Sequence, residues 1–600
     1  MNTQRRDTEG SAGLRRFLLD LKRRKVYRAI AVYIVVAYVS LEVVNLLIPA
    51  TTLPVWADEL LLAIAIVGLP IVAVLAWIFE ITPDGVKVTA PADAVPGERS
   101  GQQTGGLLWA GVAMLAAFAA LGWYLVAGGT SGTADRTIAV LPFEALGPAE
   151  STAFSEGVHA GVLTRLSSLS GLDVISRTSV MRYREPGRSL PEIAAELGAG
   201  WVVVGEVQEV GGQVQVIARL INAGTDRQIW AEEYQRELSA ENVFSIQSDI
   251  TRQIARALEA RLSPEELEQV DRMPTRDLAA YELYLEGRSL LAQRTEVAMR
   301  RAEEYFTQAI DQDPAFTTAY VGLADSLMLR ISYGHEHSDD SVNRARGALQ
   351  RAIELDPTLG EAHASLALVY LYTDRQQGPA ALRELERAIE LRPNYADAFI
   401  WLCWTQLLLG QPEMAMLSSR RAVELNPLSV EAGGNLASSL QANGDYELAL
   451  AENQRVLDIQ PGWQSALLGQ GLLLYELGRL QEAEAVLADV SVPWAKSAAQ
   501  DTLALVHVAS GNDLRSRELL AEAEAEGRWF SMSLINAAMG QKEQAIEALE
   551  QVDEWDDWST LALRYFYPDV WATIKDDPRF GAVVRKLDNA WGVGADQKKR

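Results

Sequence analysis

Two abutting stretches, Ala396–Pro427 (ADAFIWLCWTQLLLGQPEMAMLSSRRAVELNP) and Val430–Pro461 (VEAGGNLASSLQANGDYELALAENQRVLDIQP), decide the reading of this chain. Each holds two apolar-periodic segments, parted by a glycine and closed by a proline. Gly410 and Gly444 suit a left-handed turn between two helices, and Pro427 and Pro461 can follow a helix but not continue it. Small residues such as Ala437 and Ala449 let the paired helices approach closely. One such pair cannot bury its own apolar face, so neighbours must stack. The recurrence, at about thirty-four residues, runs over Arg276–Trp558. About eight units begin near Ala280, Thr318, Glu361, Ala396, Val430, Gln464, Ser497 and Glu526, the last two being degenerate.

The pattern resembles the tetratricopeptide repeat (TPR). Leu402, Cys403, Gly410, Ala415, Ala422 and Pro427 stand on its signature positions in the first stretch. Leu436, Ala437, Gly444, Tyr446, Ala449, Val456 and Pro461 do so in the second. The resemblance implies a superhelical solenoid whose inner wall is built from each first helix and binds extended peptides or helices. Tyr281, Tyr284, Arg288, Tyr372, Ile400, Trp404, Leu408, Leu472 and Tyr475 map to that protein-binding groove. The competing reading is that neighbouring helices or the preceding domain cover some of them. Residues 559–600, with Tyr565, Tyr567, Trp571 and Phe580, are expected to cap the last repeat.

Six hundred residues, 48% of them hydrophobic, allow several domains with ample core. The net charge of -26, nearly all of it beyond Arg136, repels phosphate backbones, so nucleic acid is not an expected partner. Cys403 is the only cysteine, which excludes an intramolecular disulfide or a CxxC site, and its repeat position suits plain packing. His335 and His337, close to Asp339 and Asp340, have the chemistry to ligate a divalent metal, but a solvated loop fixes no ligand geometry. His363 and His507 read as packing residues, and His159 has no Cys or Ser motif near it. Neither GxSxG, a Walker loop nor HExxH is present, so no catalytic residue, metal site or cofactor is expected, and the chain reads as a non-enzyme.

The N-terminus, residues 1–28, is basic through Arg15, Arg16, Lys22, Arg23, Arg24, Lys25 and Arg28. Apolar runs at about 29–49, 60–79 and 107–127 each reach the length that crosses a bilayer, and the absence of Lys and Arg in Ala50–Glu59 puts the N-terminus on the cytoplasmic side. These features predict three N-terminal transmembrane helices anchored in the bacterial inner membrane, with everything after about Gly128 periplasmic. Glu42 and Asn45 in the first span are either functional intramembrane polar groups or packing contacts between spans. Residues 83–106 and 128–135 read as linkers.

From Arg136 to about residue 263 strand and helix signals alternate. Strands are expected at Thr137–Phe143, Leu172–Ile175, Trp201–Val210, Gln213–Leu220 and Gln228–Tyr234. Helices are expected at Ala153–Leu169, Leu190–Leu197 and Val243–Leu262. This is a small α/β domain. TIAVLPFEAL, EGVHAGVLTRLSSLSGLDVISRTSV and FSIQSDITRQIARAL resemble the TolB-N-terminal-like (FlgO-like) periplasmic domain of bacterial membrane proteins that carry TPR repeats. The fold class expected is therefore multidomain: three membrane helices, the α/β domain, then an all-α TPR solenoid.

The resemblance implies a non-enzymatic inner-membrane scaffold that gathers proteins or peptides on the periplasmic side. The alternative is a sensory subunit that couples periplasmic binding, through the membrane helices, to a separate cytoplasmic signalling enzyme. A hydrolase site between the α/β domain and the first repeats is a remote third reading. Association of this chain with its own copies is left open by the sequence.

Overall fold

The computed structural model describes residues 79–82, 85–88, 136–146, 151–184, 187–293, 295–332 and 338–593. The chain divides into two compact units, 1–122 and 123–600. In the first, β1 (Phe79–Thr82) pairs antiparallel with β2 (Gly85–Val88). A strand pair thus stands where the end of a membrane span and a structureless linker were expected.

The three-helix membrane anchor is a reading the findings overturn. Among the described residues no helix is long and apolar enough to cross a membrane. Spans 29–49, 60–79 and 107–127 lie outside the described residues, apart from Phe79, which opens β1. Hydropathy measures only how apolar a run is, not which surroundings bury it. The fold class becomes a small β-sheet domain followed by an all-α TPR-like solenoid.

The sheet of the second unit contains β3 (Thr137–Val140), β4 (Glu144–Ala145), β5 (Asp173–Val174), β6 (Trp201–Val210), β7 (Gln213–Asn222) and β8 (Arg227–Glu237). Its order is β5-β3-β6-β7-β8, with β4 pairing β6. Every residue of β3 is buried, because β3 has a parallel partner on each side and helices over it, which is why it reads as a continuous apolar run. β8 is an open edge and correspondingly polar. Helix α1 (Ser151–Ser167) lies against β4, β5 and β6, and α4 (Ala240–Ala257) against β7 and β8. The two helices pack closely because α1 carries Gly161, where an added Cβ would lie 2.3 Å from the Gln247 side chain. Between them in sequence come α2 (Arg177–Val180) and α3 (Leu190–Leu197), and α5 (Pro264–Val270) leads into the solenoid.

Among the described residues eight helix pairs follow. They are α6 (Leu278–Leu291) with α7 (Glu296–Gln312), α8 (Thr317–Ser332) with α9 (Asp339–Leu355), and α10 (Gly360–Thr373) with α11 (Gly378–Leu391). Next come α12 (Ala396–Leu408) with α13 (Pro412–Leu425), α14 (Val430–Ala442) with α15 (Tyr446–Ile459), and α16 (Gln464–Glu476) with α17 (Leu480–Leu487). The last are α18 (Pro493–Ala509) with α19 (Asp513–Glu526), and α20 (Trp529–Ala538) with α21 (Lys542–Glu550).

Gly410 and Gly444 take φ of 81° and 85° at the turns inside two of these pairs. Five successive second helices end on the residue before a proline: Asp313, Asp356, Arg392, Asn426 and Gln460, each released from helical ψ. Proline sterics impose this on the preceding residue. Three of these proline corners become docking points for the α/β domain, as described below.

The C-terminal segment comprises α22 (Asp557–Arg564), α23 (Pro568–Trp571) and α24 (Pro578–Ala590). It does more than cap the last repeat. Tyr565 Oη donates to the Leu407 carbonyl at 3.0 Å, and the backbone at Gly592 comes so close to the Gln376 carbonyl that a Cβ there would lie 2.3 Å from it. The segment therefore reaches back to the third and fourth helix pairs. Tyr567, fully buried in the left-handed region at φ 59°, is held by its amide donating to Glu476 Oε1 at 3.0 Å and by its hydroxyl 2.7 Å from Thr502 Oγ1.

Candidate functional site

The α/β domain docks along consecutive proline corners. The Ser176 amide donates to the Leu425 carbonyl at 2.7 Å, and Asn394 Nδ2 donates to the carbonyls of Leu169 and Leu172 at 2.9 and 2.7 Å. Arg421 pairs with Asp173 at 2.7 Å, Arg392 Nη2 donates to Ser167 Oγ at 2.6 Å, and Arg272 meets Thr358. With the α/β domain on this side and the C-terminal segment on the other, the inner wall of the solenoid becomes a chamber of about 1480 Å³.

Six of the nine expected groove residues line it: Arg288, Tyr372, Ile400, Trp404, Leu408 and Leu472. Tyr372 is 58% exposed, whereas Leu472 is buried among repeat helices. Trp404 Nε1 donates to Asp557 Oδ2 at 3.1 Å, so part of its ring is already engaged by the C-terminal segment. Three expected groove residues lie elsewhere. Tyr281 is buried against Phe244 of α4 at 4.9 Å, with Gln247 donating to its hydroxyl at 3.4 Å, and burial pushes that phenol up to about 12. Tyr284 stacks on Tyr281 and leans on Phe306 and Phe316. Tyr475 packs edge-on against Tyr567 at 5.8 Å. Glu42 and Asn45 lie outside the described residues.

Arg288 is exposed to a space shared by the chamber and a smaller side cavity of about 140 Å³. Tyr284, then Asp325, Tyr395 and Glu361, hold its guanidinium above the ordinary arginine range. Arg177, also on both cavities, pairs with Glu156 at 3.3 Å; burial first, and Arg288 next, press its pKa downward. Glu361 is paired with Arg392, whose guanidinium lies 4.6 Å over the Tyr395 ring.

Chamber residues that the repeat pattern did not single out include Ser176, Arg177, Tyr395, Trp401, Gln441 and Asp557. The first two come from the α/β domain and Asp557 from the C-terminal segment, so no repeat register marks them.

The remaining chemistry is structural. The Cys403 thiol is buried, 3.3 Å from Ser439 Oγ, and burial pushes it up to about 12. Burial drives His159 down to about 4, so the imidazole is neutral and its Nε2, 2.9 Å from the Val140 carbonyl, is the donor. His363 Nδ1 sits 2.6 Å from Glu384 and His507 is buried. His335 and His337 lie outside the described residues, and Asp339 and Asp340 form the first turn of α9. Among the described residues no group of three or more His, Cys, Asp or Glu is placed to hold a metal.

Residues 134–253 match the family model described as the second domain of HilA/YgeH-like transcriptional regulators, and residues 527–557 match a tetratricopeptide repeat. The chain is 30% identical over 244 residues to the putative adenylate cyclase 3 of Rhizobium meliloti (strain 1021), covering 40% of this chain and 41% of that protein. It is 21% identical over 302 residues to the transcriptional regulator HilA of Salmonella typhimurium, covering 50% of this chain and 52% of the regulator. The chain thus spans about half the length, or less, of these curated relatives. Among solved structures it is similar to YrrB, a TPR protein with an unusual peptide-binding site, at 25% identity over 31% of this chain and 90% of that one, with a TM-score of 0.25.

The family match corrects the TolB-N-terminal-like assignment: the model that fits this stretch is the HilA-type second domain. The segments that carried the resemblance, TIAVLPFEAL among them, are short apolar core pieces of a kind that many small α/β domains share, and they do not discriminate among such domains. With that assignment and the membrane anchor removed, the inner-membrane scaffold, the periplasmic placement of the C-terminal domains, the integral-membrane partnering and the transmembrane sensory alternative all lose their support.

Proposed function

We propose that the chain is a binding module, not an enzyme, which holds a short peptide segment of another protein inside the solenoid. The observation that carries this reading is the chamber, whose walls come from the α/β domain, the inner faces of the repeats and the C-terminal segment together. Its volume exceeds the roughly 300–1,000 Å³ of small-molecule sites. Its wall combines aromatic anchors, Trp401, Trp404 and Tyr372, with polar groups, the composition of recognition surfaces. The relatives support a regulatory setting: one is named a transcriptional regulator and the other a putative adenylate cyclase.

Selection of a random peptide library on the full chain provides the test. Selected peptides should be excluded by Ile400→Trp, which places an indole in the chamber. Selected peptides that bind the Ile400→Trp chain as well as the parent would count against the reading.

A further inference from the structure

The charged residues on the chamber wall are unequal in sign: four arginines face seven Asp and Glu residues, a formal surplus of three negative charges. The arginines are largely engaged within the protein. Arg392 pairs with Glu361, Arg177 with Glu156, and the Arg375 guanidinium lies 5.6 Å over the Trp591 ring. Two of the acids are held by neutral donors only, among the described residues. Glu431 Oε2 accepts from Ser429 Oγ at 2.9 Å, and Asp556 Oδ1 accepts from the amide and hydroxyl of Ser559 at 2.7 and 2.6 Å. Asp557 accepts from the neutral Trp404 indole, with Arg375 nearby. A guest that enters this space meets an excess of carboxylate in a partly desolvated setting, where charge is weakly screened.

A second feature concerns hydrogen bonding. Gln441 is 4% exposed and Arg392 8% exposed, and both line the chamber. Gln441 Nε2, Arg392 Nε and Arg177 Nε are buried donors with no acceptor among the described residues. Buried polar atoms in native structures are nearly always paired, so unpaired donors on side chains that line the chamber point to an acceptor that a guest supplies. A peptide main chain supplies carbonyls at regular spacing.

We infer that the chamber takes a short cationic peptide segment, whose Lys or Arg side chains meet Glu431, Asp556 and Asp557 while its carbonyls accept from Gln441, Arg392 and Arg177. This rests on the peptide-binding reading above and adds the chemistry of the guest. It also assigns part of the recognition to the α/β domain, through Arg177, so the repeats alone form an incomplete site.

The test uses the full chain and three sets of labelled nine-residue peptides with one apolar pattern, carrying Lys/Arg, Gln or Glu at the intervening positions. Fluorescence anisotropy should show the Lys/Arg set binding about ten-fold or more tighter than the Glu set, with the advantage shrinking as salt rises. Glu431→Gln with Asp556→Asn should weaken the basic set about five-fold and leave the Gln set unchanged. Because the whole chain is acidic, basic peptides can also adsorb outside the chamber. Ile400→Trp and, as a second filled variant, Ser438→Trp must therefore abolish the binding. Basic peptides that bind both filled variants equally well would overturn the inference, as would equal or tighter binding of the Gln or Glu set. In the latter case exclusion by the filled variants would leave the peptide-binding reading standing. Failure of all three sets to bind would remove both.

Discussion

The two flanks that close the chamber are built on different physics. The α/β flank is a polar seam of directional bonds: Ser176 to Leu425, Asn394 to two carbonyls, Arg421 to Asp173. Behind it Arg165, buried with no carboxylate in contact among the described residues, donates to the carbonyls of Val270 and Arg272 and to Gln247, and burial brings its pKa down to about 10. The C-terminal flank is an aromatic mass. Phe530 lies against Trp555 and Trp571, Trp558 against Phe566, and Trp591 is buried with its indole donating to Thr560. Bonds with fixed acceptors set a register between two modules, whereas buried ring area supplies holding power with little directional demand. The α/β domain thus fixes the geometry of the chamber, and the C-terminal segment holds its other wall in place.

The largest expected break of this contrast comes from Trp591→Ala. Removing a buried indole costs about 3–5 kcal/mol. Hydrogen exchange should show loss of protection in α22 to α24 while α1 and α4 keep theirs. Simultaneous loss in both regions would mean that the flanks are one cooperative unit and the contrast is empty.

Arg165→Leu attacks the other side. It strips the Val270 and Arg272 carbonyls and Gln247 of their donor, at a cost of about 3 kcal/mol, and should loosen α1, α4 and α5 without disturbing the Trp591 environment. Denaturant unfolding followed by exchange in the two regions separates the outcomes.

A smaller effect, graded with pH, should run in opposite directions on the two flanks. Burial pushes Glu476 up to about 7 and Asp501 up to about 6, and both touch the C-terminal segment or its seat. The folded state therefore holds protons that the unfolded state releases. The resulting stability is complete below the ordinary carboxylate range and is lost as pH rises through about 7. His159, driven down to about 4, does the reverse: its contribution is complete above the ordinary histidine range and is lost as pH falls through about 4. Between pH 5 and 8 the C-terminal flank should loosen by on the order of 2 kcal/mol, with Glu476→Gln flattening the response. A C-terminal flank that tightens over that range would show the carboxylate assignments to be wrong.

Much of the repeat stack could be read from residue order alone, because Gly410, Ala415, Ala422 and Pro427 act through local sterics: a left-handed turn, close helix approach, a forced stop. The strands of the α/β domain were legible for a similar reason, through β3's apolar run and the alternation in β6 and β7. β4 was missed, being two residues long and defined only by its pairing with β6. Of the groove positions, Tyr281, Tyr284 and Tyr475 lie off the chamber, because an inward-facing aromatic has the same repeat register whether a guest or the chain itself covers it. The membrane reading failed because apolar content does not name an environment, and the TolB-like resemblance, carried by short segments such as TIAVLPFEAL, gives way to the HilA-type family match over residues 134–253.

The amino-acid order by itself determined the helix pairs, their turns and the α/β alternation, since each follows from the conformational limits of neighbouring residues. Only the tertiary structure decided that the groove is a chamber. Its closure depends on Ser176, Arg421, Asp557 and Trp591 meeting partners more than a hundred residues away, and no local rule of backbone or periodicity encodes such a meeting.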